Sequence, residues 1–171
     1  IFWEPNNGSE IPFEFPAVHK LRTGGYDGKG VRIVISSADA LDWLELGKVL
    51  LVEEKVDFVR ELAHLSARNI NGEWQAWPVV QTVQADGVCS EVLSPAPKAD
   101  QARAAEIAKA IAEGLGVTGV LAVELFETVD GSLLVNELAM RPHNSGHFSI
   151  EGSTTSQFEQ HLRAVANLPL G

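Results

Sequence analysis

The chain has 171 residues and a mass of 18.5 kDa, enough to bury a core without disulfide staples and sized for one domain or two small lobes. Hydrophobic residues make up 45% and charged residues 21%, which excludes disordered and collagen-like classes. Thirteen basic against 23 acidic residues give a net charge of −10, which repels phosphate backbones and argues against a nucleic-acid binder. A local basic pocket for a small phosphate ligand is still compatible with that balance. The one cysteine, Cys89, cannot form an internal disulfide, and this fits a reducing compartment. No apolar run approaches the roughly 20 residues of a membrane span. The opening IFWEPNNGSE lacks the basic region and apolar stretch of a signal peptide. The expectation is a cytoplasmic domain that engages no membrane.

Residues 1–16, with three prolines and Asn-Asn-Gly, read as an irregular lead-in. A short strand over Phe15–Lys20 is followed by TGGYDGKG at 23–30, whose four glycines in eight residues demand a loop. Val31–Ile35 reads as a second strand. Ser36 or Ser37 then caps a helix through Leu46, closed by Gly47, and Val49–Val52 is a third strand ending in Glu53-Glu54. Residues 1–56 thus form a small lobe and residues 57–171 a larger one.

In the larger lobe, runs 60–69, 73–80 and 88–93 read as strands separated by Asn71-Gly72 and Asp86-Gly87, both strong hairpin signals. Trp74 and Trp77 fall on opposite sides of their strand. Residues 99–115 predict the clearest helix, with Ala104, Ile107, Ala108, Ile111 and Leu115 on its apolar face and Gly116 as its stop. Strands over 118–128 and 132–139, a polar loop and a closing helix over about 154–167 complete the chain. Antiparallel sheets with helices beside them predict an α+β fold.

The sharpest chemical signal lies in the last hairpin. With Asp130-Gly131 as its turn, Glu124 faces Glu137 directly, on a face shared with Ala122, Phe126, Val135 and Ala139. Two carboxylates opposed among apolar neighbours repel each other and lose hydration. Either one of them is protonated or a cation sits between them. Hard oxygen donors with few protein neighbours suit Mg²⁺, which keeps waters and adds substrate phosphates to its shell.

Two loops add to this. The glycine loop is not a Walker P-loop, because Gly24 to Lys29 is one residue short and no Ser or Thr follows Lys29. It also lacks the third glycine of a dinucleotide fingerprint. Its N–H groups can still fold over phosphates, with Lys20 and Lys29 supplying charge. RPHNSGH at 141–147 crowds Arg141, His143, Asn144, Ser145 and His147 into one loop directly after an acidic strand. Pro142 and Gly146 rule out helical spacing for a zinc pair of His143 and His147, so bicarbonate, carboxylate or phosphate is the better guest. No GxSxG elbow is present, and Cys89 reads as inert packing.

FPAVHK, TGGYDGKG, VEEKVDF, VLAVELF, LLVNELAMRPHNSGH and TSQFEQHLRAV, in that order from about Phe15 to Gly171, resemble the 5-(carboxyamino)imidazole ribonucleotide synthases, ATP-grasp enzymes of purine biosynthesis. The resemblance implies an ATP-grasp fold whose two lobes hold ATP. By it, Lys20 and the loop Gly24, Gly25, Tyr26, Asp27, Gly28, Lys29 and Gly30 cover the phosphates. Glu53, Glu54, Lys55 and Val56 form the hinge that meets adenine, Glu61 takes the ribose hydroxyls, and Gln84 stands where some relatives carry a histidine. Glu124 and Glu137 hold Mg²⁺, with Mn²⁺ as the alternative ion, and Asn136 lies beside the phosphates.

Arg141, His143, Asn144 and His147 then sit near bicarbonate, carboxyphosphate and 5-aminoimidazole ribonucleotide. The implied reaction is ATP-dependent carboxylation of that ribonucleotide, with the carboxylate–amine ligases and a non-catalytic nucleotide-binding module as alternatives. Two departures are Met140 in place of a proline and Phe148 in place of a tryptophan. The resemblance further implies an upstream nucleotide-fold-like domain, a small domain downstream, and a homodimeric parent.

Overall fold

The computed structural model describes residues 2–3, 15–25, 29–40, 43, 45, 47–85 and 87–171. The chain divides into two compact units, residues 1–56 with 86–88, and residues 57–85 with 89–171.

The first unit is a four-stranded antiparallel sheet. Its strands are β1 (Phe2–Trp3), β2 (Ala17–Leu21), β3 (Val31–Val34) and β4 (Leu50–Glu54), arranged β1-β4-β2-β3. Alternation buries Ala17 and His19 of β2 with Leu50 and Val52 of β4, and Leu21 and Trp43 pack against that cluster. The glycine loop joins β2 to β3, closed at its base by Leu21 N–H donating to Gly30 O (2.8 Å). After β3 a 3₁₀ turn spans Ser37–Ala40. Here the expected serine cap is reversed. Asp39 Oδ2 accepts from the Ile35 and Ser36 N–H groups and from Ser36 Oγ, which holds its carboxyl below the usual range. Residues 41, 42, 44 and 46 of the expected helix lie outside the described residues.

The second unit is built on a six-stranded sheet. Its strands are β5 (Phe58–Arg68), β6 (Trp74–Ala76), β7 (Val80–Ala85), β8 (Val88–Leu93), β9 (Gly119–Thr128) and β10 (Leu133–Ala139). The order is β10-β9-β5-β7-β8, with β6 also pairing β5. The single strand expected over 73–80 is therefore two. Pro78 has no N–H for a ladder, and the chain leaves β5 there and rejoins it as β7.

Two helices of useful length accompany this sheet, α1 (Gln101–Gly114) and α3 (Gln157–Val165), with a single turn α2 (Ser149–Gly152) before the latter. Asp100 caps α1 by accepting from Arg103 N–H. Ala104, Ala108 and Ala112 of α1 pack with Leu62, Leu121, Val123 and Leu125 on one sheet face. Leu115, expected on that apolar face, is 58% exposed: it is the C-cap beyond the helix's last residue, and Ala104, Ala108 and Ala112 are the residues buried against the sheet. On the other face, Ala164 of α3 packs with Ala63, Leu65, Val120 and Ala122. Trp74 joins the first cluster and Trp77 the second, on opposite faces as their spacing predicts. Among the described residues no helix is long and apolar enough to cross a membrane.

Candidate functional site

In the first unit, Lys20 and Glu53 lie on the outer face of the sheet. Their strands pair Lys20 with Leu51 and Val18 with Glu53, a diagonal that brings Lys20 Nζ to 2.9 Å from Glu53 Oε2. Glu54, Lys55 and Val56 follow in sequence at the end of β4, and Lys29 and Gly30 close the glycine loop beside β3. Tyr26, Asp27 and Gly28 lie outside the described residues.

The acidic face belongs to the second unit. Register alone collects it. Glu61 of β5 pairs with Phe126 on one side and Thr82 on the other, and Ala63 pairs with Glu124. Side chains at every second position share a face, so Glu61, Thr82, Gln84 and Glu124 lie on the same side of the sheet as Leu65 and Ala122. Glu137 of β10 stands directly opposite Glu124. Burial raises the Glu61 carboxyl above its ordinary value. The Cys89 thiol is pushed up by burial and then by the charges of Glu124 and Glu61, so it stays protonated and unreactive.

The pairing of Glu124 with Glu137 is as the sequence predicts, but the hairpin is not. The loop takes three residues, Val129–Gly131. Gly131 N–H donates to Thr128 O (2.9 Å), Thr128 N–H donates to Ser132 O (3.0 Å), and Gly131 adopts φ +81°. Val135 consequently pairs with Leu125 and Leu134 with Phe126, one residue off the expected register. A bulge at Asn136 corrects the offset before Glu137.

The loop after β10 lies over this same face. His143 is buried, with Nε2 3.2 Å from Glu124 Oε1 and Nδ1 2.8 Å from Ser145 Oγ. Gly146 passes so close to the sheet that a Cβ there would meet Leu65 Cδ2 at 2.2 Å and Gln157 Oε1 at 2.5 Å. Asn144 Oδ1 accepts from Ser145 N–H (2.8 Å). Arg141 points elsewhere, its Nη1 donating to Pro142 O, and exposed His147 stacks on Phe158 with centroids 5.9 Å apart. The structure thus sets His143 against Glu124, places Glu137 opposite Glu124 in the register but exposed, contrary to the expected loss of hydration, and sends Arg141 and His147 to other partners.

Gln157 and Ser149, which also hold this loop, were not singled out by residue type or spacing. A signal existed: α3 buries Gln157 and Gln160 beside Ala164 on its inner face. Two glutamines on the buried side of a helix must be tied to something polar.

Among the described residues no group of three or more His, Cys, Asp and Glu is arranged to hold a metal ion. Glu124 and Glu137 supply two carboxylates from facing strands. Such a pair fits a hard divalent cation that completes its shell with water and ligand oxygens, and does not fit a closed protein cage.

The ATP-grasp domain model matches residues 7–158. The chain belongs to the ATP-grasp family. Within it, the chain is 60% identical over 163 residues to the N5-carboxyaminoimidazole ribonucleotide synthase of Mycobacterium tuberculosis, which covers 91% of this chain and 38% of that protein. The N5-carboxyaminoimidazole synthetase of Staphylococcus aureus, solved with ADP, superposes with a TM-score of 0.85 at 31% identity, covering 92% of this chain and 43% of that one. The synthase of Aspergillus clavatus, solved with ADP and 5-aminoimidazole ribonucleotide, gives 0.77 at 33% identity over 92% and 42%. This ATP-grasp chain therefore spans about two fifths of the length of the relatives it matches.

Proposed function

We propose that this chain is the ATP-grasp portion of an enzyme that carboxylates 5-aminoimidazole ribonucleotide, a cytoplasmic step of purine biosynthesis run by a homodimeric parent. Bicarbonate attacks the γ-phosphorus of ATP, giving carboxyphosphate and ADP. The exocyclic amine of the ribonucleotide then takes the carboxyl group and phosphate leaves. The observation that carries this reading is the Glu124–Glu137 pair with His143 beside it, in a chain 60% identical to a synthase of that name.

Each residue group has a physical task in that chemistry. Lys20 and residues 24–30 supply positive charge and backbone N–H groups to the phosphates. Glu53 to Val56 meet the adenine, and Glu61 with Gln84 the rest of the nucleoside. Glu124 and Glu137 hold Mg²⁺ or Mn²⁺, with Asn136 beside the phosphates; the ion, when bound, neutralises charge on the transferring phosphoryl group. Arg141, His143, Asn144 and His147 direct hydrogen-bond donors to bicarbonate and to a mixed anhydride that must be kept from water. His143, buried against Glu124, is the best placed of the four.

The test is phosphate release by the full-length protein with ATP, Mg²⁺ and 5-aminoimidazole ribonucleotide. Release that requires bicarbonate supports the reading. Release that follows formate or an amino acid instead assigns a different ATP-grasp ligase, and tight ATP binding without turnover assigns a binding module.

A further inference from the structure

We propose that Gln157 is a positioning residue for His143, an inference that rests on the proposed role of the loop at 141–147. Gln157 is the first residue of α3 and is fully buried. Its side-chain amide spans both polar groups of a single residue. His143 N–H donates to Gln157 Oε1 (2.8 Å), and Gln157 Nε2 donates to His143 O (2.7 Å). The amide orientation is unambiguous, because the reverse would set donor against donor and acceptor against acceptor.

A two-point clamp fixes more than a single bond does. One hydrogen bond lets a loop peptide swing about it, whereas two opposed bonds fix rotation as well as distance. His143 is held extended (φ −128°, ψ 152°), and from that backbone its ring meets Glu124 with one nitrogen and Ser145 with the other. The ring therefore approaches the acid pair from a fixed direction. The clamp is itself tied down. Ser149 Oγ donates to Gly146 O (2.6 Å) and accepts from Gln157 N–H (2.9 Å), so the loop and the start of α3 move together. Buried at this depth, neither the amide nor the His143 peptide has water to replace a lost partner.

Many buried glutamines merely hold a fold together. This one holds the peptide of the residue whose ring contacts Glu124, so its loss acts first on that ring and only then on the sheet.

The experiment uses the full-length protein with Gln157→Met, which keeps length and shape but removes both bonds. Hydrogen–deuterium exchange read by mass spectrometry is expected to speed up in the 141–148 peptide by roughly tenfold to a hundredfold, with peptides from β9 unchanged. Bicarbonate-dependent turnover is expected to fall on the order of 100-fold in kcat while KM for ATP holds. Ser149→Ala, a milder change that keeps the clamp but unties it, should give the same pattern at smaller size, and it stands in should Gln157→Met fail to fold. Unchanged exchange at 141–148, or acceleration spread equally over β9 and α1, would overturn the proposal. If the wild-type protein showed no bicarbonate-dependent turnover, the proposed function would fall, while the exchange result would still decide the clamp.

Discussion

Glu124 and Glu137 face each other across β9 and β10, and two departures from regular pairing bring them there. A three-residue loop at Val129–Gly131 offsets the strands by one position near the turn. The bulge at Asn136 then cancels the offset, so beyond it the strands pair as a two-residue turn would have had them. Such a bulge also adds a residue next to Glu137 without moving that carboxylate from its partner.

The facing pair predicts a metal dependence with a clear signature. In calorimetric titrations, ATP should bind the protein more tightly with Mg²⁺ than without, and Glu137→Ala should remove that difference while leaving metal-free binding near its wild-type value. Glu124→Gln should do the same and should also loosen His143, whose ring it contacts. Tightening by Mg²⁺ that survives both changes would take the metal away from this hairpin.

Much of this face was legible because a sheet translates register into proximity. Once β9 and β10 are recognised and joined by a two-residue turn, the register places Glu124 opposite Glu137 and Ala122 opposite Ala139, and it holds there because the longer loop and the bulge at Asn136 cancel. The turn type was less legible, since Asp-Gly serves two-residue and three-residue loops alike. Pro78 could have split the run at 73–80, as its missing N–H forbids an interior ladder position. The loop at 141–147 announced itself by its donors. Which donor meets the acid pair did not follow from sequence, because it depends on Gln157, fourteen residues away from His143. Tertiary clamps of that kind leave no local period.

Gly146→Ala should destabilise the protein by about 1–3 kcal/mol in urea unfolding, a small-to-large change in a filled space. The added methyl meets Leu65 and the Gln157 amide, both fully buried. A shift in midpoint with an unchanged m-value would mark a pure stability effect. Gly131→Ala, strained only by its positive φ at an exposed turn, should cost less.

His64 makes stability depend on pH. It sits inside β5 on the face covered by α1, near Trp74, and among the described residues neither ring nitrogen meets a hydrogen-bond partner. Burial lowers it to about 4. The unfolded chain, with an ordinary histidine near 6.5, therefore binds a proton between those values that the folded chain refuses. The stability conferred by the neutral ring is complete above about pH 6.5 and is lost as pH falls toward 4, by up to about 3 kcal/mol. Urea unfolding at pH 7 and pH 5 should show this loss, and His64→Met should flatten it. His19, also lowered by burial and by Arg32, retains its own share in the variant, so the difference between the two proteins isolates His64.

Removing Asn136 altogether separates the bulge from the carboxylate pair. Near the turn the strands pair Leu134 with Phe126 and Val135 with Leu125, so the next slot on β10 lies opposite Glu124. With Asn136 deleted, Glu137 moves into that slot, and Leu138 and Ala139 keep Val123 and Ala122 as partners. The deletion should therefore preserve the facing glutamates, remove the bulge and straighten β10. We expect exchange protection in β9 to stay near wild type and Mg²⁺ to keep its effect on ATP binding. Turnover of the full-length protein should fall, because the deletion withdraws the Asn136 amide that the proposed function sets beside the phosphates. If the Mg²⁺ effect disappeared with the deletion, the bulge rather than the carboxylate pair would set the geometry of the metal site.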